Sequence, residues 1–531
     1  EITEESETIL RLRAVSGSHR LELVEADGTV TSFAPTSALP SGTVAPSSTA
    51  VVWRADTVTD PGEAAGSAQA KTYFYPAGAG EAKIGRIVTV PVGKTSTECP
   101  NTPTPSASAR GCQYLHLSYG TATTGTASTA GDAAGQVKSI SVSMWDPAAA
   151  GGAGAMDTVT MAGYGYDNLK RLVTVTDSRT GLLTRYGWDG TSSRLATVTD
   201  PGLAPYRIFY DAATAPGTPS APRVARVTRD NPTSASTYDT LVAATPPAGS
   251  QVLAAYRYDL SPTQVAGLNL SDDAAGVGAW YQKSAPVKGF AVFAGDAPAG
   301  VTGGTSTSPA GVSAADWRFA SLSYTDAQGY TVNTASFGAG RWLPTSTDYD
   351  PEGRVTRTLD AAAITAILDT TNLESDVEVA AMSTENVYTA DGLLTEVYGP
   401  ARDVVVDWNG YQAIRTHTVT VYDGGAPNGG VNPATGGTYN LPTRVDVSAA
   451  TTAKTDLFLM SRTYTEYGPV STDGVSDGYD GWGTGNATRV IVRDNYGDAA
   501  KDIVRETRYD SRHRVIETRQ PLSAGKTDAG S

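Results

Sequence analysis

The pentapeptide Gly474-Val475-Ser476-Asp477-Gly478 matches the Gly-x-Ser-x-Gly pattern of serine hydrolases. That chemistry needs the serine on a sharp strand-to-helix turn and a histidine to take its proton. The flanks, Asp473 on one side and Tyr479-Asp480-Gly481 on the other, supply neither an apolar strand nor a helix. The match is read as accidental, and Ser476→Ala is expected to leave fold and function unchanged. Asp473, Asp477 and Asp480, with Asp494 and Asp498 around Asn495 and Gly497, offer carboxylate oxygens of the kind that hold Ca²⁺. A solvated acidic turn is the alternative, no full EF-hand loop is present, and no metal is assigned. His19, His116, His417 and His513 are far apart, and none stands in a metal-ligand pattern. His116 lies in the alternating run Tyr114-Leu-His-Leu-Ser-Tyr119 and reads as structural. No phosphate-binding Gly-x-x-x-x-Gly-Lys loop occurs, so nucleotide hydrolysis has no support and no cofactor is expected.

The two cysteines, Cys99 and Cys112, bracket a Pro/Ser-rich loop. A disulfide here would stabilise by roughly 3 kcal/mol in the chain-entropy model and would place the chain in an oxidising, extracellular setting. Two free thiols are the alternative.

What must position any such groups is a repeat. Tyr164-Gly-Tyr166-Asp167 is followed by Arg171-Leu172; Tyr186-Gly-Trp188-Asp189 is followed by Arg194-Leu195; a third copy begins at Tyr210-Asp211. The aromatic-Asp pairs recur at intervals of 22 residues. Tyr349-Asp350-Pro-Glu-Gly353-Arg354-Val355 and Tyr509-Asp510-Ser-Arg-His-Arg514-Val515 repeat the pattern, with partial copies at Tyr258-Asp259, Tyr324-Thr-Asp326 and Tyr422-Asp423, and a looser one at Tyr388-Thr-Ala-Asp391. Each unit reads as a β-hairpin. An alternating aromatic strand enters a turn made by Asp with Gly or Asn, and a second strand of β-branched residues leaves it. One hairpin is marginal alone, but stacked copies bury one another's faces. Tyrosines recurring at one place per repeat read as a packing ladder, with sugar stacking on exposed rings as the alternative. Ladder packing puts Trp188→Ala at roughly 3–5 kcal/mol.

These units resemble the YD-repeat family, which includes bacterial Rhs proteins, the C components of insecticidal toxin complexes and teneurins. The resemblance covers roughly residues 20–520 and is strongest at 160–211 and 345–360, with a further copy at 505–518. It implies an all-β chain, an array of antiparallel hairpins forming a spiralling sheet that is a segment of a β-shell or barrel. It also implies a non-catalytic, secreted or wall-associated casing that encloses or displays a C-terminal toxin. The alternative is a cell-surface adhesin or carbohydrate-binding protein whose partners are surface glycans or proteins. The family's C-terminal core region is not recognisable after Gln520-Pro521-Leu522, no signal peptide is evident at the acidic start Glu1–Thr8, and the chain reads as a fragment.

The expected division is degenerate β-repeats with the cysteine loop over 1–158, clear repeats over 159–260, a low-complexity insertion with strands over 261–320, further repeats over 321–522, and a polar tail over 523–531. The Ala/Gly/Ser/Thr/Pro-rich stretches 120–135, 148–155, 295–315 and 424–437 read as surface loops. Asp360 reads as the N-cap of a short helix to Leu368 that decorates the array. Tyr, at 26 residues against 8 Phe and 8 Trp, suits strands with one wet face. The net charge of −15 repels phosphate backbones and anionic bilayers, so neither nucleic acid nor membrane insertion is expected, and no run of about 20 apolar residues exists.

Overall fold

The computed structural model describes residues 2–3, 11–14, 21–24, 29–35, 53–59, 71–74, 83–90, 98–99, 110–149, 154–211, 222–231, 249–369, 375–407, 410–433, 437–469, 471–472, 475–476, 478–493, 501–510 and 513–520. The fold is all-β. From Ile2–Thr3 to Arg341–Pro344, twenty strands pair antiparallel, each with its neighbour in sequence. From Ser346–Tyr349 to Val515–Arg519 the same meander continues as an 11-stranded sheet. Thr345 joins the two: its N–H donates to the Thr334 carbonyl at 2.8 Å, so one strand runs out of the first sheet into the second. Strand residues are β-branched or aromatic in alternation, as in Leu172–Asp177 (LVTVTD) and Tyr206–Tyr210 (YRIFY).

A one-residue register shift recurs immediately before the aromatic of the unit: Ser118/Tyr119, Gly165/Tyr166, Gly187/Trp188, Phe209/Tyr210, Asp348/Tyr349, Val387/Tyr388, Val421/Tyr422 and Arg508/Tyr509. Such bulges bend the strand and increase its twist.

The largest core lies over residues 255–382, where Trp280, Phe293, Trp317, Tyr324, Leu359, Ile364 and Val379 are buried. This differs from the sequence expectation of loops on the surface. Within 261–320 the strand Lys288–Ala294 pairs in the sheet on both sides, and the stretch 295–315, read from the sequence as a surface loop, packs into this core as a cover, with helix α1 (Ala299–Thr302) burying Val301. Two tryptophans supply the apolar area that its small residues lack. Arginines of the sheet fasten this cover through its carbonyls. Buried Arg226 donates to Thr302 O at 3.1 Å and Gly303 O at 2.5 Å, and Arg257 donates to Val301 O at 2.7 Å. Helix α2 (Ala361–Asp369) is capped by Asp360, whose Oδ1 accepts from Ala363 N at 2.8 Å. It is part of this core and not a decoration, because Ile364 and Ile367 face inward. Helix α3 (Asp376–Met382) starts in a capping box between Ser375 and Glu378. Among the described residues no helix is long and apolar enough to cross a membrane.

The 120–135 stretch is likewise held on the sheet, since Gly131 and Tyr166 exchange two backbone hydrogen bonds at 2.9 and 2.7 Å. Cys99 and Cys112 are joined in a disulfide and buried with Val88, Val90 and Tyr114. Residues 100–109 of the loop between them lie outside the described residues, as do residues 523–531.

Candidate functional site

Most units are closed by an aspartate. Asp167 Oδ1 accepts from Leu169 N and Arg171 N, both at 2.9 Å, while Oδ2 accepts from Arg171 Nε at 2.8 Å. Asp350 repeats this with Arg354 N at 2.8 Å and Nε at 2.6 Å, and Asp510 with Arg514 N at 3.0 Å and Nε at 2.8 Å. Asp189 pairs with the Arg194 guanidinium, and Asp211 Oδ1 accepts from Arg223 N at 2.8 Å. A short side chain that satisfies several N–H groups of a tight turn, and then an arginine, is what the Asp-to-Arg spacing of four or five encodes.

The residue before the arginine has φ > 0: Gly353 at 81°, but Lys170 at 62° and His513 at 61°. A side chain in this left-handed region is strained, while glycine is not. A Cβ at Gly353 would also meet the Tyr330 hydroxyl at 2.5 Å. At Lys170 a glycine would relieve left-handed strain of about 1–2 kcal/mol against an entropy cost of about 0.5–1 kcal/mol, so Lys170→Gly is expected to stabilise the chain by up to about 1 kcal/mol, read as a higher denaturation midpoint.

The arginine then faces the next unit. The guanidinium of Arg171 lies 5.5 Å from the Trp188 ring centre, Arg194 lies 5.2 Å from Tyr210, Arg223 lies 4.7 Å from Tyr258, and Arg354 lies 5.1 Å from Tyr388. The polar end of each ring reaches back. Trp188 Nε1 donates to Leu172 O at 2.8 Å, Tyr210 to Leu195 O at 2.8 Å, Tyr258 to Val224 O at 3.0 Å, Tyr388 to Val355 O at 3.0 Å and Tyr422 to Leu394 O at 3.0 Å. In these contacts the acceptor follows the arginine position of the preceding unit. In register it is the cross-strand partner of that unit's own aromatic: Leu172 of Tyr166, Leu195 of Trp188, Val224 of Tyr210, Val355 of Tyr349 and Leu394 of Tyr388. Tyr119, Tyr166, Tyr349, Tyr467 and Tyr509 make the same kind of bond to Ile84, Val137, Thr331, Pro442 and Ala487. The result is a spine of aromatic donors through both sheets. Trp188 itself is half-buried, which lowers the expected effect of its truncation below that of a fully enclosed tryptophan.

Burial holds the hydroxyls of Tyr166, Tyr210, Tyr349, Tyr422 and Tyr509 above the ordinary tyrosine value of 10.0. A phenolate can no longer donate. The folded chain therefore keeps these protons after the unfolded chain has lost them, and their stabilisation is complete below the unfolded value and lost as pH rises through the folded values. The urea midpoint is expected to be flat from about pH 8 to pH 9.5 and to fall steeply above about pH 10. An unchanged midpoint at alkaline pH would remove the spine's hydroxyls from the stability of the fold.

Three other groupings are present. His417 is buried, stacked on Tyr398 with ring centres 4.1 Å apart, and clamped between Asp456 Oδ1 at 2.8 Å and Glu396 Oε2 at 3.3 Å. Tyr398 donates to the same Glu396 oxygen at 2.9 Å, and burial followed by that carboxylate pushes its hydroxyl up to about 12. Both imidazole nitrogens are thus engaged by carboxylates, an arrangement that ties strands together. A cavity of about 390 Å³ opens beside Trp188, lined also by Arg171, Tyr186 and Thr197 under the loop 126–130. Among the described residues the buried Thr197 hydroxyl has no hydrogen-bond partner. Ser476 sits in the two-residue strand Val475–Ser476, paired with Ser471–Thr472; Asp473, Gly474, Asp477, Asp494 and Asp498 lie outside the described residues.

No family model matches the chain, and no curated protein does. Among solved structures the chain is similar to the Tc holotoxin pore of Photorhabdus luminescens carrying a TccC3 variant, with a TM-score of 0.22 and 11% identity over 98% of this chain and 30% of that one. It is similar to TcdB2-TccC3 without its hypervariable C-terminal region at a TM-score of 0.18 and 10% identity, over 97% and 24% of the respective chains. A TcdB2-TccC3-Cdc42 structure gives 0.16 and 11%, over 96% and 30%. The chain spans less than a third of the length of these solved chains.

Several working residues escape the sequence pattern. Arg223 is the arginine of Asp211 but lies twelve residues on, past an insertion in the turn. Tyr330 stands where an arginine is expected: its N–H donates to Asp326 Oδ1 at 2.9 Å and its ring stacks on Tyr349 at 4.9 Å. In the looser copy Thr389 takes the aspartate's place, with its Oγ1 accepting from Leu393 N at 3.0 Å, whereas Asp391 does not close that turn. Tyr119 and Tyr467 have no Asp after them, and only the spacing of the hydroxyl contacts reveals them.

Proposed function

We propose that the chain is a non-catalytic structural segment of a secreted Rhs/YD-repeat casing, which encloses or displays a C-terminal toxin or effector. The aromatic spine carries this reading. The recurring tyrosines, aspartates and arginines spend their hydrogen bonds and charges on one another, so the motif's chemistry is mechanical. Bulges such as those recurring at the aromatics bend a strand, as a curved wall needs, and the disulfide suits an oxidising compartment. The test is a passenger peptide fused after Ser531 and digested beside the same peptide free in solution. Enclosure predicts slower cleavage of the fused peptide, and equal rates would overturn it. Hydrolysis of an ester or peptide substrate that is lost in a folded Ser476→Ala variant would overturn the non-catalytic part.

One observation favours a second reading, a carbohydrate-binding surface: the cavity beside Trp188 with the unpartnered Thr197 hydroxyl in its wall. Glycan binding abolished by Trp188→Ala in a folded chain would select this reading.

A further inference from the structure

Three departures from the repeat meet at one place. The spine donors named above are tyrosines except Trp188, and since tyrosines make the same bond, the spine alone does not call for an indole. The turn that follows is one residue longer than its relatives. Asp189 and Arg194 are five apart, where Asp167 and Arg171, or Asp350 and Arg354, are four apart. The stretch 120–135 is laid against this part of the sheet. It is pinned by the Gly131–Tyr166 bonds and by Gly125, where a Cβ would collide with the Tyr166 carbonyl. Its tip is a closed turn: Thr126 N donates to Thr129 O at 2.9 Å, and Thr126 Oγ1 accepts from Ser128 N at 3.2 Å and Thr129 N at 2.9 Å. Places where a repeat breaks its own rules are where function is to be sought. Between these three features lies the cavity of about 390 Å³, near the lower end of the range of about 300–1,000 Å³ typical of small-molecule sites.

We infer that this cavity is a subsite for a single uncharged hexopyranose ring, an inference that rests on the carbohydrate reading above and narrows it. The indole N–H of Trp188 is spent on Leu172 O, so what the side chain offers the cavity is its apolar ring surface, which suits the C–H face of a pyranose. The Ser128, Thr129 and Thr191 hydroxyls and the Asn168 amide also line the space, and these side chains make no hydrogen bond among the described residues. Each carries both donor and acceptor capacity, as sugar hydroxyls do. The charged side chains in the wall are already committed. Arg171 closes on Asp167 at 2.7 Å, and its Nη1 donates to Gly190 O at 2.8 Å. A uronate or a sugar phosphate would therefore bring its charge against a wall with no free cation, at a desolvation cost. The roof is already folded as a turn, so little ordering opposes binding.

The test is saturation-transfer NMR on the full chain with the methyl glycosides of glucose, galactose and mannose, beside methyl glucuronide and methyl galacturonide. At least one neutral ring is expected to bind with a Kd of about 1 mM, the affinity open to so small a ligand, and the uronates at least about tenfold more weakly. Two variants probe the cavity without cutting the spine. Ala127→Trp fills the space from the exposed roof and should abolish binding at an unchanged denaturation midpoint. Trp188→Tyr keeps a donor for Leu172 O while removing the wider ring surface, and should weaken binding by about tenfold. Binding indifferent to both variants, or uronates bound as well as neutral rings, would overturn the subsite. Binding of longer saccharides alone, insensitive to Ala127→Trp, would overturn the subsite and leave the carbohydrate reading standing; no binding of any saccharide would defeat both.

Discussion

Trp280→Ala is expected to destabilise the chain by about 3–5 kcal/mol, the cost of emptying the site of a fully enclosed large side chain. Trp280 is 1% exposed and packs among Phe293, Ile364 and Val379. Its Nε1 donates to Gln282 Oε1 at 3.0 Å, and that amide group also bonds Asn333 and Ser346. Removal therefore leaves both a void and an unbalanced polar network where the two sheets meet. In a repeat array the loss should be regional: amide exchange should accelerate over about residues 255–382 and remain unchanged over about 110–200. Uniform acceleration, or none, would contradict a core centred on this residue.

Arg207→Leu is expected to cost a similar amount, about 3–5 kcal/mol. Arg207 Nε meets both oxygens of Asp230 at 2.8 Å, and the two side chains are 5% and 0% exposed. Taking away the guanidinium strands a carboxylate in the interior, where the Ser250 hydroxyl at 3.4 Å remains to solvate it among the described residues. The penalty belongs mainly to the orphaned charge and not to the pair's net contribution. The double variant Arg207→Leu with Asp230→Leu should accordingly recover most of the loss in a chemical denaturation series. A double variant no better than the single one would show that the pair itself, through its geometry, stabilises these strands.

The clasp was readable because it is local. Asp167 and Arg171, or Asp350 and Arg354, sit four residues apart in one turn, and that spacing survives in the sequence. The bulge was not readable, because a one-residue slip is a property of two strands together and leaves no mark on either. Arg223 was hidden by the length of its turn, and Tyr330 by a change of chemistry at a kept position. The 295–315 stretch was misread as a surface loop for another reason. Its composition is that of a loop, and its burial depends on a few side chains, Ala297 and Val301 among them, whose partners lie on strands far away in sequence. His417 sits in an alternating strand, and nothing local signals that Asp456 and Glu396 converge on it.

The direction of the aromatic contacts bears on how the chain acquires its structure as it is made. Tyr210 reaches back to Leu195, Tyr388 to Val355 and Tyr422 to Leu394, so each donor comes later in the chain than its acceptor. A polypeptide emerging amino end first therefore presents a finished acceptor before the matching donor appears, and each new hairpin locks the one already laid down. The loops closed in this way are short, so assembly proceeds through contacts of low sequence separation despite the number of strands. The exception is the segment 261–320. Its arginine fastenings span 76 residues from Arg226 to Thr302 and 77 from Arg357 to Trp280, which makes the middle of the array the slow step of an otherwise zipper-like sequence.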